Sequence, residues 1–134
     1  MQSNSTSNQI PAAIGPYRQS VTANGLIFLS GQIPIDPATG ALVAGGIEEQ
    51  TAQVIKNINA ILAASGFGLE NVVKTTVLLS DMSLFAGMNA VYGEAFKNAP
   101  PARSTFAVKE LPRGALVEIE CIASACRTPP GCDD

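Results

Sequence analysis

Residues 17–31 read YRQSVTANGLIFLSG, two strand-like stretches on either side of Asn24-Gly25. An asparagine–glycine pair accepts the left-handed backbone of a tight turn, so it predicts an antiparallel hairpin with strands at about 17–22 and 26–31. The second strand is apolar on both of its alternating sets: Leu26 and Phe28 oppose Ile27 and Leu29. A sheet holding such a strand needs cover on both faces.

Beyond the hairpin, Asp36-Pro-Ala-Thr-Gly40 is a turn, with proline supplying a fixed φ and glycine the left-handed position, and a loop continues to Gly46. From 47 to 65, Val54, Ile55, Ile58, Ile61 and Leu62 recur at spacings of three and four, which predicts an amphipathic helix. Glu48 and Glu49 stand in its first turn, where the helix dipole favours negative charge, and Gly66 is placed to end it. VVKTTVLLS at 72–80 is short and rich in β-branched residues, hence a strand; here Val72 and Leu78 oppose Val73, Val77 and Leu79. Asp81 or Ser83 caps a second helix to about Lys97, with Leu84, Met88, Val91, Tyr92 and Ala95 on its buried side. Pro100-Pro101 breaks regular structure before a strand at about 103–108. A turn containing Leu111-Pro112-Arg113-Gly114 leads to a last strand at about 115–125.

The order is β-β-α-β-α-β-β, an α+β arrangement. We expect a mixed sheet with an opening and a closing hairpin and two helices on one face. Two helices cover one face only, and the other is also apolar. The expectation is therefore a homo-oligomer, with a closed ring among its forms, whose subunits bury that face against each other.

Composition narrows the chemistry. The chain has 134 residues, 46% hydrophobic and 14% charged, with no tryptophan and no histidine. This length fits a single domain over 1–134, with a core at about 9–125 and an irregular tail at 126–134. The missing histidine removes Ser-His-Asp and Cys-His catalysis and imidazole metal ligation. Eight basic against eleven acidic residues leave a net charge of −3, and no basic run interleaves with aromatics, so a nucleic-acid groove finds little support. The polar first ten residues, MQSNSTSNQI, fit neither a secretory nor a transit signal, which makes a cytoplasmic address the expectation. Cys121 lies in an apolar strand pattern and reads as a buried free thiol, while Cys126 and Cys132 sit in the tail and are able to pair under oxidation.

A few polar groups stand in ordered segments. Arg103 opens a strand behind Pro100-Pro101, so a fork of fixed donors suited to a small carboxylate is presented from a stiff element. The commoner role for such an arginine is a salt bridge to Glu118 or Glu120. Those two glutamates, in VEIEC, share the strand face opposite Val117, Ile119 and Cys121, with carboxyls roughly 7 Å apart, able to place a water and relay a proton or simply to meet solvent. Tyr17 follows the stiff Ile14-Gly15-Pro16 turn and offers a hydroxyl, or else serves as a core aromatic. Ser30 and Gly31 end a strand where a ligand can approach the backbone, although strand-end serines are ordinarily turn residues. Asn89 is a weaker candidate.

Ile10-Pro-Ala-Ala-Ile-Gly-Pro-Tyr17, Leu29-Ser-Gly-Gln-Ile-Pro34, Val73-Lys-Thr-Thr-Val77, Phe85 to Asn89, Pro101-Ala-Arg-Ser104 and Val117-Glu-Ile-Glu120 together resemble, in order and spacing, the Rid family, the reactive intermediate deaminases also called YjgF proteins. The resemblance covers about residues 9–125. It implies a chorismate-mutase-like fold, a homotrimer whose sheets form a central barrel with helices outside, and a ligand cleft at each subunit interface. It also implies hydrolysis of enamine and imine intermediates, 2-aminoacrylate and 2-aminocrotonate, to 2-keto acids and ammonia without metal or cofactor.

By that resemblance Arg103 holds the substrate carboxylate, Glu118 orients or activates the attacking water, and Tyr17 and Ser30 assist proton placement. Gly31 and the backbone of Thr105 contact the reacting end, and Asn89 lines the pocket. The family often has cysteine where Thr105 stands, so any thiol-dependent behaviour is lost here. Two other outcomes share the fold: a non-catalytic small-ligand-binding or chaperone-like trimer, and the endoribonuclease activity attributed to some relatives, against which the acidic balance counts.

Overall fold

A computed structural model describes residues 18–127 of the chain. The asparagine–glycine turn is where the sequence places it. Asn24 and Gly25 have φ of 53° and 78°, and they join β1 (Ser20–Ala23) to β2 (Leu26–Gln32) with Ala23 directly opposite Leu26. Strand β1 is shorter than expected at its start. In the Asp36 turn, Gly40 N–H donates to the Asp36 carbonyl at 2.8 Å with φ of 77°, and Asp36 Oδ1 accepts from Ala38 N–H at 2.9 Å.

Helix α1 spans Ile47–Ala64. At its start Glu49 Oε1 accepts from the Gly46 N–H at 2.9 Å, and backbone N–H groups hold this carboxyl below its ordinary pKa. At its end Gly66 N–H donates to the Ala63 carbonyl and Phe67 N–H to the Leu62 carbonyl, the paired bonds by which a left-handed glycine closes a helix. Strand β3 is Val72–Leu79. A short 3₁₀ turn, Met82–Leu84, precedes α2 (Phe85–Ala95); Asp81 caps that turn, its Oδ1 accepting from Ser83 N–H at 2.8 Å, while α2 itself starts from Leu84 with no side-chain cap and ends two residues earlier than expected. Strands β4 (Ala102–Ala107) and β5 (Val117–Ser124) complete a five-stranded sheet in the order β1-β2-β5-β3-β4.

That order corrects one expectation. β4 and β5 form no hairpin: β4 runs parallel to β3, and β5 lies antiparallel between β2 and β3. The reason lies in their sequences. β5 alternates buried and half-exposed residues along its whole length and pairs on both sides, while β4 is mostly exposed or half-buried and serves as an edge. The β3-α2-β4 segment closes as a parallel crossover unit, and the 108–116 connection carries the chain back across β3.

Both helices pack on one sheet face. Ile27, Leu29, Val77, Val117 and Ile119 meet Val54, Ile58, Leu62, Met88 and Tyr92 in a common core. Phe96, one residue past α2, is buried with them. Strict alternation would set Val72 on the face opposite the buried Val77 and Leu79. Val72 is fully buried, because a bulge between Val72 and Lys74 shifts the register against β5 and turns it inward. On the face away from the helices, Val21, Phe28 and Phe106 remain 50%, 40% and 53% exposed. Among the described residues, no helix is long and apolar enough to cross a membrane.

Candidate functional site

Arg103 sits on edge strand β4, opposite Thr75 of β3, on the helix-covered side of the sheet. Three residues of α2 meet its side chain. Phe85, Asn89 and Tyr92 stand at i, i+4 and i+7, which puts them on one helix face. Arg103 Nη1 donates to Asn89 Oδ1 at 2.7 Å. Its guanidinium carbon lies 4.7 Å from the centre of the Tyr92 ring and 5.4 Å from that of Phe85, both within cation–π range. The Tyr92 hydroxyl and Thr75 Oγ1 are hydrogen-bonded at 2.6 Å inside the core. Burial raises the Tyr92 pKa above its ordinary value, although the Thr75 bond and the Arg103 charge oppose the shift. Two residues along β4 from Arg103, Thr105 Oγ1 is buried and has no hydrogen-bond partner among the described residues.

Within one chain Arg103 makes no salt bridge to Glu118 or Glu120. Both glutamates lie on β5 and face away from the helices, as the alternation of VEIEC requires, with Val117, Ile119 and Cys121 buried on the other side.

Around Glu118 a second cluster gathers. Leu29 pairs with Cys121 and Gln32 with Ile119, so Ser30 and Gly31 form a bulge opposite Glu120. The Glu118 carboxylate occupies the space a Gly31 side chain needs: a Cβ built there would land on Glu118 Oε2. Ser30 Oγ donates to the Gln19 carbonyl at 3.3 Å, and Gln32 Nε2 donates to the Ser30 carbonyl and to Gln19 Oε1. The bulge is thus held from both sides. Burial raises the Glu118 pKa above the ordinary glutamate value, and the nearby Glu120 charge raises it further. On the same face a cleft of about 370 Å³ opens beside Ser30, lined also by Arg18, Phe28, Lys74, Glu120 and Ile122.

Of the residues singled out from the sequence, Arg103, Asn89 and Thr105 form one cluster, and Ser30, Gly31 and Glu118 another on the opposite face. Tyr17 and Cys132 lie outside the described residues. Sequence reasoning missed Tyr92, Phe85 and Thr75 as parts of the arginine's setting. The i, i+4, i+7 spacing from Phe85 was the available signal for the first two; for Thr75 the signal is the β3–β4 register, which no local pattern shows. Among the described residues, no group of three or more cysteine, aspartate or glutamate side chains is arranged to hold a metal ion.

The 2-iminobutanoate/2-iminopropanoate deaminase of Mus musculus is 48% identical over 118 residues, 88% of this chain and 87% of the mouse protein. The structure of YyfA from Yersinia pestis, a member of the conserved Rid protein family, superposes with a TM-score of 0.85 at 48% identity, covering 89% of this chain and 95% of that one. E. coli TdcF, solved with bound serine, gives 0.83 at 38% identity over 88% and 94% of the two chains. The sequence model of the family described as Endoribonuclease L-PSP matches residues 7–125. With all five strands of the described sheet and both helices inside that match, the chain belongs to the Endoribonuclease L-PSP family, that of the YjgF/Rid proteins.

Proposed function

We propose that this protein is an imine deaminase. It hydrolyses the imines derived from 2-aminoacrylate and 2-aminocrotonate to 2-keto acids and ammonia. The observation that carries this reading is the setting of Arg103: one side of its guanidinium is tied to Asn89 and its plane rests on aromatic rings, leaving further N–H donors for a planar carboxylate. The relative named 2-iminobutanoate/2-iminopropanoate deaminase, at 48% identity over most of both chains, supports the substrate class. The serine held by TdcF supports a site for a small amino-acid-like carboxylate.

The working unit is a homotrimer, in which Arg103, Asn89 and Thr105 of one copy meet Ser30, Gly31 and Glu118 of the next. Two observations support it: apolar side chains stand exposed on the outer face, and the two clusters lie on opposite sides of the sheet. A cytoplasmic setting matches the source of such intermediates.

In the reaction the enamine first takes a proton at carbon and gives one up at nitrogen, yielding the imine. With the substrate carboxylate on Arg103, water adds to the imine carbon; Glu118 accepts the water's proton and delivers it to the imine nitrogen, which gives the neutral carbinolamine and returns Glu118 to its carboxylate. The carbon–nitrogen bond then breaks with the electron pair leaving on nitrogen as ammonia, while the hydroxyl proton passes back through Glu118. A carboxyl whose pKa is raised by burial is better matched to this shuttle than an exposed one. Ser30, whose hydroxyl donates to Gln19 and so offers its lone pairs, and Tyr17 assist proton placement. No step requires a metal or cofactor.

The test generates 2-aminoacrylate in place from serine with a dehydratase and follows pyruvate. Acceleration above the spontaneous rate, lost in Arg103→Ala, supports the reading; no acceleration sinks it. The family's description also names an endoribonuclease, so labelled RNA is the parallel substrate. Cleavage that disappears in Arg103→Ala, without imine hydrolysis, favours that alternative.

A further inference from the structure

Thr75 is fully buried and Tyr92 nearly so, yet each carries a hydroxyl that packing alone does not need. Valine and phenylalanine fill the same space without burying a polar group, and a buried hydroxyl costs stability unless it is bonded. Here the two hydroxyls bond to each other at 2.6 Å. Their placement is specific: Thr75 is the β3 residue directly opposite Arg103, and the Tyr92 ring that it anchors lies under the Arg103 guanidinium at 4.7 Å. The chain from Arg103 across the ladder to Thr75, through the hydroxyl pair to Tyr92, and back through the ring to the guanidinium is a closed loop. Asn89, accepting from Nη1 at 2.7 Å, fixes rotation within the guanidinium plane. The ring fixes the tilt of that plane. Phe96 also packs against the Tyr92 ring, centroids 4.6 Å apart and planes tilted by 39°.

We infer that Thr75 and Tyr92 are positioning residues, whose hydroxyl pair locks the ring on which Arg103 lies so that its free donor edge is presented at one fixed angle to a planar carboxylate. This deepens the reading of Arg103 as the carboxylate holder and rests on it. The consequence is kinetic. Arg103 holds the carboxylate equally in substrate and transition state, so a loosened guanidinium weakens binding without slowing the bound complex.

The experiment compares Tyr92→Phe, Thr75→Val, the double variant and Thr75→Ser with the wild-type protein, all full length. Each is assayed for imine hydrolysis and, by calorimetry, for binding of 2-oxobutanoate. Loss of the hydroxyl pair is expected to raise KM and the 2-oxobutanoate Kd by about 3- to 10-fold, with kcat within about 2-fold of wild type. The double variant is expected to match either single one, because both remove the same bond. Thr75→Ser, which keeps the hydroxyl, stays near wild type and guards against a valine variant that fails to fold. The proposal is overturned if KM and Kd do not move in folded Tyr92→Phe, or if kcat falls at constant KM, as it does when part of the enzyme is simply unfolded. Failure of wild-type protein to bind 2-oxobutanoate overturns it as well. If wild-type protein binds 2-oxobutanoate through Arg103 but hydrolyses no imine, the deaminase reading fails and the positioning role is decided on Kd alone.

Discussion

Arg103 and Glu118 stand on opposite faces of one sheet, with β3 running between their strands. Arg103 is opposite Thr75, Thr75 is opposite Cys121, and Glu118 is three residues before Cys121 on β5. Two strand spacings alone put the backbones about 10 Å apart, before the offset along the strand and the thickness of the sheet are added. An imine of four carbons cannot touch both residues of one chain. If both act on it, they come from different copies. Mixing Arg103→Ala and Glu118→Gln subunits, each inactive alone, should then restore activity. In randomly assembled oligomers an interface draws an intact arginine from one side and an intact glutamate from the other about one quarter of the time, so roughly a quarter of wild-type activity is expected after mixed refolding. No recovery, with mixed oligomers shown by mass spectrometry, places the reaction within one chain or excludes one residue from it.

The second prediction uses the raised pKa of Glu118. Because burial and the Glu120 charge both disfavour its ionised form, Glu118 ionises at a higher pH than an exposed glutamate. If the carboxylate is the working base, the acidic limb of kcat/KM against pH lies higher than an exposed glutamate gives. Glu120→Gln removes the like charge and leaves the burial, so it should move that limb to lower pH. Glu118→Gln should lower kcat by about 100-fold or more throughout. An acidic limb that stays put in Glu120→Gln assigns it to some other group.

Gly31 supplies the third. Its φ is not in the left-handed region, so the backbone does not demand glycine; the Glu118 carboxylate does, since a Cβ would fall on Oε2. Gly31→Ala should push that carboxyl aside and reduce kcat/KM by about 10- to 100-fold, as a displacement near 1 Å does at a working group. Gly25 is the reverse case: φ of 78° with open space around it. Gly25→Ala should lower stability by about 1 kcal/mol through backbone strain and leave turnover intact. Thermal melts and initial rates on the two variants separate the effects.

Much of this architecture is legible along the chain because local chemistry decides it. Asn24-Gly25, the two glutamates opening α1, Gly66 and Asp81 each act within a few residues, and each does in the structure what its chemistry suggests. What the chain does not reveal is which strands pair across long separations. β5 enters between β2 and β3 because both of its edges are needed inside, a property of the finished sheet and not of residues 117–124. The same limit governs the site. Arg103 and Asn89 are recognisable as polar residues on separate elements, whereas the meeting of Thr75 and Tyr92 beside Arg103 depends on β3–β4 register and helix placement together. Val72 shows the limit at its smallest scale, since one bulge reverses the face that alternation assigns.

Cys121 allows a last prediction, in which the thiol stays silent. It is 3% exposed on the helix-covered side of β5, and burial, with a smaller push from the Glu120 charge, lifts its pKa to about 12. Only the thiolate attacks electrophiles, so at neutral pH almost none of the reactive form exists and the reagent has no path to the sulfur. In the native protein Cys121 should therefore resist iodoacetamide for hours, and it should be labelled within minutes in guanidinium. Cys121 and Cys126 share the tryptic peptide 114–127, so fragment-ion mass spectrometry places the label on one or the other, while Cys132 falls in the next peptide. Because the thiol points away from Glu118, Cys121→Ala should retain imine hydrolysis while losing about 1 kcal/mol of stability to the small cavity left in the core. Fast labelling of the folded protein is incompatible with this burial, and loss of turnover in a well-folded Cys121→Ala gives the thiol a part in the chemistry that its position in the core denies it.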